Sequence, residues 1–217
     1  MVLICGIDEA GKGSVIGPLA IAGVLIDESD LDLIKDAKDS KLLTHPQRIG
    51  LCKRIEHRVA KYKVISIEPE EIDRAVGGQD GLNLNWLEAI KIVEIINELK
   101  PEKAFIDCPS SNIKAYTSYL RERLDDKNVE LIVEHKADTK YKTVSAASIL
   151  AKCRRESEVL KIEKKVGESI GSGYPSNKVC QKFLQENWDK YPTIFRKSWA
   201  SYQRVVKKQW QSMIGDY

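Results

Sequence analysis

Apolar and polar residues alternate with two different periods along the chain, and the change of period predicts the order of its elements. Short apolar runs at Val2–Ile7 and Leu19–Ile26 predict two strands, and the Gly-rich segment between them favours an antiparallel pair. Residues 38–59 predict a loop followed by a helix with apolar residues at helical spacing. A third strand is predicted at residues 62–69, where Pro69 ends it.

From residue 82 onward, helical and strand-like segments alternate. Helices are predicted at Leu82–Leu99, Asn112–Leu124 and Thr143–Val166. Strands are predicted at residues 103–109 and 130–138, and the tail at roughly 176–208 adds further helical pieces. This order predicts an α/β fold with one mixed sheet, part antiparallel and part parallel, and with helices on its faces.

Length and composition exclude several classes of protein. A chain of 217 residues accommodates one large domain, or one domain with a small appendage. No apolar run reaches the roughly 18 residues of a membrane span, and Asp8 and Glu9 interrupt the first run too early for a signal peptide. The five cysteines are scattered without a CxxC pair, so neither a zinc knuckle nor a disulfide framework is indicated. A reduced, cytoplasmic setting is expected.

The charge is unevenly distributed although the net charge is only +3. The first 134 residues carry net negative charge, and residues 135–217 carry net positive charge. This asymmetry favours a polyanion contacted mainly by the C-terminal third. A solvated surface rich in Lys and Glu would explain the same composition.

Four acidic residues follow predicted strands. Asp8 and Glu9 end the first strand, Asp107 ends the fourth, and Asp138 closes the fifth. Carboxyl ends of strands converge on one crevice, where clustered carboxylates need a cation to compensate their charge. Oxygen ligands of this kind suit Mg²⁺ or Mn²⁺ rather than zinc. Each aspartate taken alone could equally be a turn former or a helix cap.

The stretch Gly6–Pro18, GIDEAGKGSVIGP, partly matches a phosphate-binding P-loop. A P-loop requires Ser or Thr after its lysine, whereas Gly13 follows Lys12, and two carboxylates would face the phosphates. The glycines indicate instead a turn whose backbone approaches another group closely. A plain turn between two strands remains the alternative.

Several stretches together resemble the type 2 ribonuclease H family, ribonuclease HII, and its archaeal members in particular. They are GIDEAGKGSVIGP, KDSK, FIDCP, HKADTKYKTVSAASILAK, GSGYPSN and FRKSWASY, in family order over nearly the whole chain. The resemblance implies a ribonuclease H-like domain over residues 1–170 and a helical, substrate-binding extension over 171–217. It also implies a monomeric enzyme that cuts RNA in RNA·DNA hybrids, and cuts on the 5′ side of single ribonucleotides in duplex DNA, leaving 3′-hydroxyl and 5′-phosphate ends.

The resemblance assigns Asp8, Glu9, Asp107 and Asp138 to two divalent ions, one activating water and one stabilising the leaving 3′ oxygen. The backbone of Gly11, Lys12 and Gly13 would meet the 2′-hydroxyl of the scissile ribonucleotide, and Tyr174 would pack on its sugar. This turn is usually Gly-Arg-Gly, so the role of the lysine side chain is open. Ser14 stands where proline is common, and little consequence is expected. Contacts with backbone phosphates are expected from Lys41, Lys142 and Ser145.

Aromatic and histidine residues outside these motifs are expected to be structural. Phe195 and Trp199 are expected in the core, and His135 near Asp138 is expected to support the fold. A non-catalytic hybrid-binding protein and a junction resolvase are the rival functions. The intact set of four acids disfavours the first rival, and the glycine turn with Tyr174 disfavours the second.

The C-terminus carries a further candidate motif. Gln211, Ile214 and Tyr217 have the spacing of a sliding-clamp-binding peptide, although the second aromatic residue of that motif is absent. A frayed terminus would fit the same residues.

Overall fold

A computed structural model describes residues 2–42 and 44–215, with side chains described for residues 2–37 and 44–211. The chain forms two compact units. The first contains residues 1–10, 20–66 and 84–154, and the second contains 11–19, 67–83 and 155–217. The functional boundary at residue 171 stays a prediction.

The first unit is built on a five-stranded mixed sheet with the order β3-β2-β1-β4-β5. Its strands are β1 (Leu3–Ala10), β2 (Leu19–Asp27), β3 (Lys61–Ile67), β4 (Lys103–Asp107) and β5 (Glu130–Glu134). β1 pairs antiparallel with β2 and parallel with β4, and β4 pairs parallel with β5. The predicted antiparallel first pair and the mixed sheet are therefore confirmed.

The helices cover both faces of this sheet and build the second unit. They are α1 (His45–Arg58), α2 (Pro69–Val76), α3 (Leu84–Leu99), α4 (Ile113–Arg123), α5 (Ala137–Lys140), α6 (Lys142–Val166), α7 (Lys178–Asn187) and α8 (Ala200–Gly215). No helix in the described ranges has both the length and the apolar character that a membrane span requires. The predicted helical tail is confirmed as α7 and α8.

Near-continuous burial explains why β1 and β2 lie at the centre of the sheet. Every residue of β2 except Asp27 is buried, which is the pattern of a strand covered on both faces. On one face, Ile4 and Val24 join a core with Ala147 and Leu150 of α6. On the other face Ile95 of α3 approaches Gly23 so closely that an added Cβ would lie 2.3 Å from Ile95 Cγ2.

The second unit has its own core, formed by residues 15–16 with parts of α6, α7 and the segment before α8. Phe195 is fully buried and pairs through the backbone with Ile16, and Trp199 packs against the same cluster. The core position predicted for Phe195 is confirmed, whereas Trp199 is only partly buried at the edge of this core.

Two predicted strand ends are wrong. β1 was predicted over Val2–Ile7 with the acidic pair at its end, but it continues to Ala10, and Asp8 and Glu9 pair with Ala22 and Ile21 of β2. β5 was expected to run to Asp138, but it ends at Glu134.

Helical segments at Glu28–Leu42 and Pro69–Val76 were not predicted. The first is a 3₁₀ helix in a stretch rich in charged residues. The second begins at Pro69, where the sequence had indicated only the end of a strand, and proline is well tolerated at the first position of a helix.

Candidate active site

Strand register places the first two acidic residues side by side. Ile7 of β1 is opposite Ile106 of the parallel strand β4, so Asp8 and Asp107 are the next residues along the two strands. In parallel strands such neighbours project to the same face of the sheet. The charge of Asp107 accordingly raises the pKa of Asp8.

Asp8 is a buried carboxyl group with an unusual affinity for protons. Its pKa is raised from 3.8 to about 7, mainly by burial and also by the charges of Asp107 and Glu9, while two hydrogen bonds act in the opposite direction. Those bonds come from the Ser148 hydroxyl and, at 2.7 Å, from the Glu9 N–H to Asp8 Oδ1. Without a cation, negative charge is therefore unfavourable at this position.

Asp107 connects the sheet to the segment that carries Asp138. The Ala137 N–H donates to Asp107 Oδ1 at 3.1 Å. Partial burial raises the pKa of Asp107, and the charge of Asp138 contributes in the same direction. These two carboxyl groups therefore interact electrostatically.

Asp138 lies in α5, a single helical turn, rather than at a strand end. Lys136 precedes that turn in the left-handed conformation, with φ of 57°, which ends the extended chain after β5. The Ser145 hydroxyl donates to the Asp138 carbonyl oxygen and fixes the turn against α6. His135 bonds through Nδ1 with the Cys108 carbonyl at 3.1 Å and also interacts electrostatically with Asp107, so its structural role stays a prediction.

Glu9 is half-buried on β1, and its charge affects two neighbouring side chains. It raises the pKa of Asp8, and it also raises the pKa of Tyr116, a buried residue of α4. Glu9 therefore belongs electrostatically to the same centre as Asp8.

The donor set fits a hard divalent cation, although the side chains do not form a closed cage. The charges of Asp107 and Glu9 act on Asp8, and the charge of Asp138 acts on Asp107. All four side chains offer oxygen ligands, which a hard cation prefers. In the described part of the chain, no three His, Cys, Asp or Glu side chains converge closely enough to hold one ion as they stand. The fit rests on pairs of carboxylates whose repulsion a cation would relieve.

A stability measurement checks this electrostatic picture. The folded state binds the Asp8 proton near pH 7 and the unfolded state near 3.8, so the metal-free protein loses stability as the pH rises from about 4 through 7. Asp8→Asn cannot ionise, so we expect it to match wild type near pH 4. In EDTA at pH 8 it should be more stable by up to about 4 kcal/mol, which corresponds to a Tm higher by up to roughly 8–16 °C.

Thermal unfolding of both proteins at the two pH values measures this difference, and Asp125→Asn at an exposed site serves as the control. Adding Mg²⁺ or Mn²⁺ should stabilise wild type more than Asp8→Asn, because an ion that binds only the folded state shifts the equilibrium. An Asp8→Asn protein no more stable than wild type at pH 8 would contradict the raised pKa.

The second unit holds the glycine turn and Tyr174. Gly11 has φ of 96°, a left-handed conformation that favours glycine, and both the N–H and the hydroxyl of Ser14 donate to its carbonyl at 3.2 and 2.8 Å. Proline at position 14 could not make the first of these bonds. Gly13 is exposed, and a Cβ there would lie 4.0 Å from Tyr174 Cε1. The turn and Tyr174, distant in sequence, are therefore neighbours.

Two of the residues that were expected to contact phosphates bond to other residues in the structure. Lys142 forms an ion pair with Asp32 at 2.9 Å, and the Ser145 hydroxyl is engaged with Asp138. The side chain of Lys41 lies outside the described residues. Phosphate binding by these residues stays a prediction.

Three contributing residues escaped the sequence reasoning. Ser148 bonds Asp8, and the two buried arginines Arg155 and Arg196 contact the glycine turn. Ser148 lies one helical turn after Ser145 on α6, so the spacing of small polar residues in SAASILAK was a signal for it.

Comparison with known proteins identifies the family. A family model described as Ribonuclease HII matches residues 5–202. The chain belongs to the ribonuclease HII family. The ribonuclease HII of Methanobrevibacter smithii is 40% identical over 202 residues, which cover 90% of this chain and 94% of that protein. As a member of the ribonuclease HII family, the chain is a metal-dependent nuclease that cleaves RNA in RNA·DNA hybrids.

Solved ribonuclease structures have the same fold. The crystal structure of the ribonuclease H2 from Pyrococcus horikoshii superposes with a TM-score of 0.86 at 37% identity, covering 95% of this chain and 98% of that one. The ribonuclease HII in a complex with PCNA from Archaeoglobus fulgidus superposes with a TM-score of 0.82 at 36% identity, covering 91% and 95%. The predicted ribonuclease H-like fold is confirmed.

Proposed function

We propose that this ribonuclease HII cuts duplex DNA on the 5′ side of a single embedded ribonucleotide, in addition to RNA in longer hybrids. The products are a 3′-hydroxyl and a 5′-phosphate. The observation that carries the catalytic half of the proposal is the position of Asp8 beside Asp107 on two neighbouring parallel strands, with the pKa of Asp8 raised to about 7. Such a pair favours cation binding over a merely structural role.

We assign two divalent ions, Mg²⁺ or Mn²⁺, to Asp8, Glu9, Asp107 and Asp138. When bound, such ions make water a stronger nucleophile and stabilise negative charge on the leaving oxygen. The protein keeps the carboxylates in position: Ala137 and Ser148 hold Asp107 and Asp8 through hydrogen bonds. No Ser or Cys nucleophile is needed for this reaction.

Recognition of the ribonucleotide is assigned to the second unit. Backbone groups of Gly11–Gly13 would contact the 2′-hydroxyl, and the Tyr174 ring would pack on the sugar. The support is the exposure of Gly13 directly beside that ring. A junction resolvase requires no such sensor, so this feature favours a ribonucleotide-specific nuclease.

Cleavage of a labelled DNA duplex with one central ribonucleotide tests the proposal. We expect a single cut on the 5′ side of the ribonucleotide with Mg²⁺ or Mn²⁺, and none in EDTA. The same duplex with a deoxynucleotide at that position should remain intact, and a long RNA·DNA hybrid serves as the positive control. A protein that cuts the hybrid but leaves the single ribonucleotide intact would refute the finer specificity while keeping the family activity.

A sliding clamp is the proposed protein partner. The Archaeoglobus fulgidus relative was solved in complex with PCNA, and Gln211 of the candidate motif is exposed. Ile214 and Tyr217 lie outside the residues whose side chains are described. Deletion of residues 209–217 should abolish binding to a sliding clamp while leaving cleavage of short duplexes unchanged, and clamp binding that persists would exclude this motif.

A further inference from the structure

Arg196 is a fully buried arginine whose hydrogen bonds converge on the segment that contains the glycine turn. Its Nη1 donates to the Lys12 carbonyl at 2.9 Å, and its Nε donates to the Gly17 carbonyl at 3.0 Å. Its backbone N–H also donates to the Val15 carbonyl at 2.9 Å. One side chain therefore spans residues 12–17 from their carbonyl side.

Arg155 of α6 occupies the space beside Gly11. A Cβ on Gly11 would lie 2.5 Å from Arg155 Cδ and 2.6 Å from its Nε, so only glycine fits against this side chain. The guanidinium stacks on the Tyr174 ring at 4.4 Å from its centroid, and Nη2 donates to the Ser172 carbonyl at 2.6 Å. Arg155 thus contacts both Gly11 of the turn and the Tyr174 ring.

Backbone bonds connect the same two segments. The N–H groups of Val15 and Ile16 both donate to the Gly173 carbonyl, at 2.9 and 3.2 Å. Burial of arginine is unfavourable, and it lowers the pKa of Arg155. A core needing only apolar packing would not place two guanidinium groups around one short turn.

We propose that Arg155 and Arg196, here called the arginine clamp, are positioning residues that set the specificity for the 2′-hydroxyl. Arg196 holds the carbonyl side of the turn inward, and Arg155 fixes the distance between Gly11 and Tyr174. The inference rests on the proposed function, since it concerns the same recognition site. Arg155 and Arg196 lie outside the turn, but they determine the backbone geometry on which recognition of the 2′-hydroxyl depends.

Lysine is the informative replacement because it keeps the positive charge and the long stem but loses the planar fork. Arg196→Lys cannot reach the Lys12 and Gly17 carbonyls with two fixed donors. Arg155→Lys loses the flat stack on Tyr174. Arg204→Lys, at an exposed position in the same unit, is the matched control.

The first measurement uses duplexes with one ribonucleotide that carries either a 2′-hydroxyl or a 2′-fluorine. Fluorine accepts hydrogen bonds poorly, so the ratio of the two cleavage rates reports on the backbone contact. We expect wild type and Arg204→Lys to prefer the hydroxyl strongly. Both clamp variants should show a smaller preference and a kcat roughly 10- to 100-fold lower, with little change in KM, as expected for a misplaced recognition element.

Hydrogen exchange of peptides covering residues 11–17 is the second measurement, and it needs no substrate. We expect faster exchange there in the clamp variants and unchanged exchange in β1 and β2. Normal exchange with an unchanged preference for the hydroxyl would overturn the proposal, even if overall activity fell. Should Arg196→Lys fail to fold, Arg155→Lys, whose side chain bonds a single carbonyl, carries the test.

These readouts separate failure of the clamp from failure of the proposed function. If wild type cleaves RNA·DNA hybrids but not the single ribonucleotide, the finer function is wrong. Hydrogen exchange and the kcat on hybrids then decide the clamp alone: faster exchange at residues 11–17 with lower kcat supports it, and unchanged values refute it.

Discussion

Asp107→Asn is expected to lower the cleavage rate of an RNA·DNA hybrid by roughly 1,000-fold, which corresponds to about 4 kcal/mol of lost transition-state stabilisation. Asp107 is next to Asp8 across the parallel pair of β1 and β4, and it is electrostatically coupled to Asp138. Replacing its carboxylate with an amide removes the charge that would bind a cation together with these two acids in the proposed metal site. The amide oxygen can still accept the Ala137 N–H, so the fold should persist.

Steady-state cleavage with saturating Mg²⁺ or Mn²⁺ measures this loss, and thermal unfolding in EDTA checks that the variant is folded. Asp125→Asn removes an acidic charge from an exposed position in the same unit and should leave the rate within about twofold of wild type. An Asp107→Asn enzyme with more than a tenth of wild-type activity would remove Asp107 from the metal-binding set. The remaining three acids would then need a different partner.

The sequence could predict that acidic residues of the site stand at the ends of strands, as Asp107 does. Asp107 follows an apolar run, and the structure places it at the last position of β4. The pairing of Asp8 with Asp107 depends on the register of two strands about a hundred residues apart, which no local pattern encodes. That register places an acid within β1 beside the acid that ends β4.

The position of Asp138 shows where local patterns mislead. The predicted strand included HKAD and ran to Asp138, because no glycine or proline separates these residues from the apolar run of β5. A left-handed residue at Lys136 ends that extended segment, and the Ser145 hydroxyl holds the following turn. The second feature depends on a residue of α6, which the pattern of β5 does not contain.

The burial of Arg155 and Arg196 could not be predicted from local sequence either, but the cause is different. Arg155 and Arg196 lie in charged stretches of the sequence, where a solvated side chain is the usual interpretation. Their burial follows from the packing of the second unit, where carbonyl groups and the Tyr174 ring replace water as partners. Charge in the sequence therefore did not indicate which cations bind substrate and which hold the backbone.

Gly6→Ala is expected to destabilise the protein strongly. A Cβ at Gly6 would lie 2.1 Å from the carbonyl carbon of Thr143 and 2.3 Å from the backbone nitrogen of Val144. Both atoms belong to the first turn of α6, where a backbone cannot move aside as a side chain can. We expect a loss of about 4 kcal/mol or more in the free energy of unfolding.

Gly50→Ala in α1 is the matched control, because its Cβ would meet only Arg54 Nη1, at 3.8 Å. There the helix should gain roughly 0.5–1 kcal/mol, since alanine loses less conformational freedom than glycine on folding. Urea unfolding of the three proteins measures both effects. A Gly6→Ala protein as stable as wild type would show that β1 and α6 are less closely packed than the structure indicates.

The same close contact links stability to the site. Gly6 precedes Asp8 by two residues on β1, and Thr143 precedes Ser145 by two on α6, whose hydroxyl holds Asp138. An added methyl group would push the start of α6 away from β1 and separate Asp138 from the pair of Asp8 and Asp107. We therefore expect the Gly6→Ala protein that remains folded to cleave more slowly than wild type. Its carboxylates would stand too far apart to share cations.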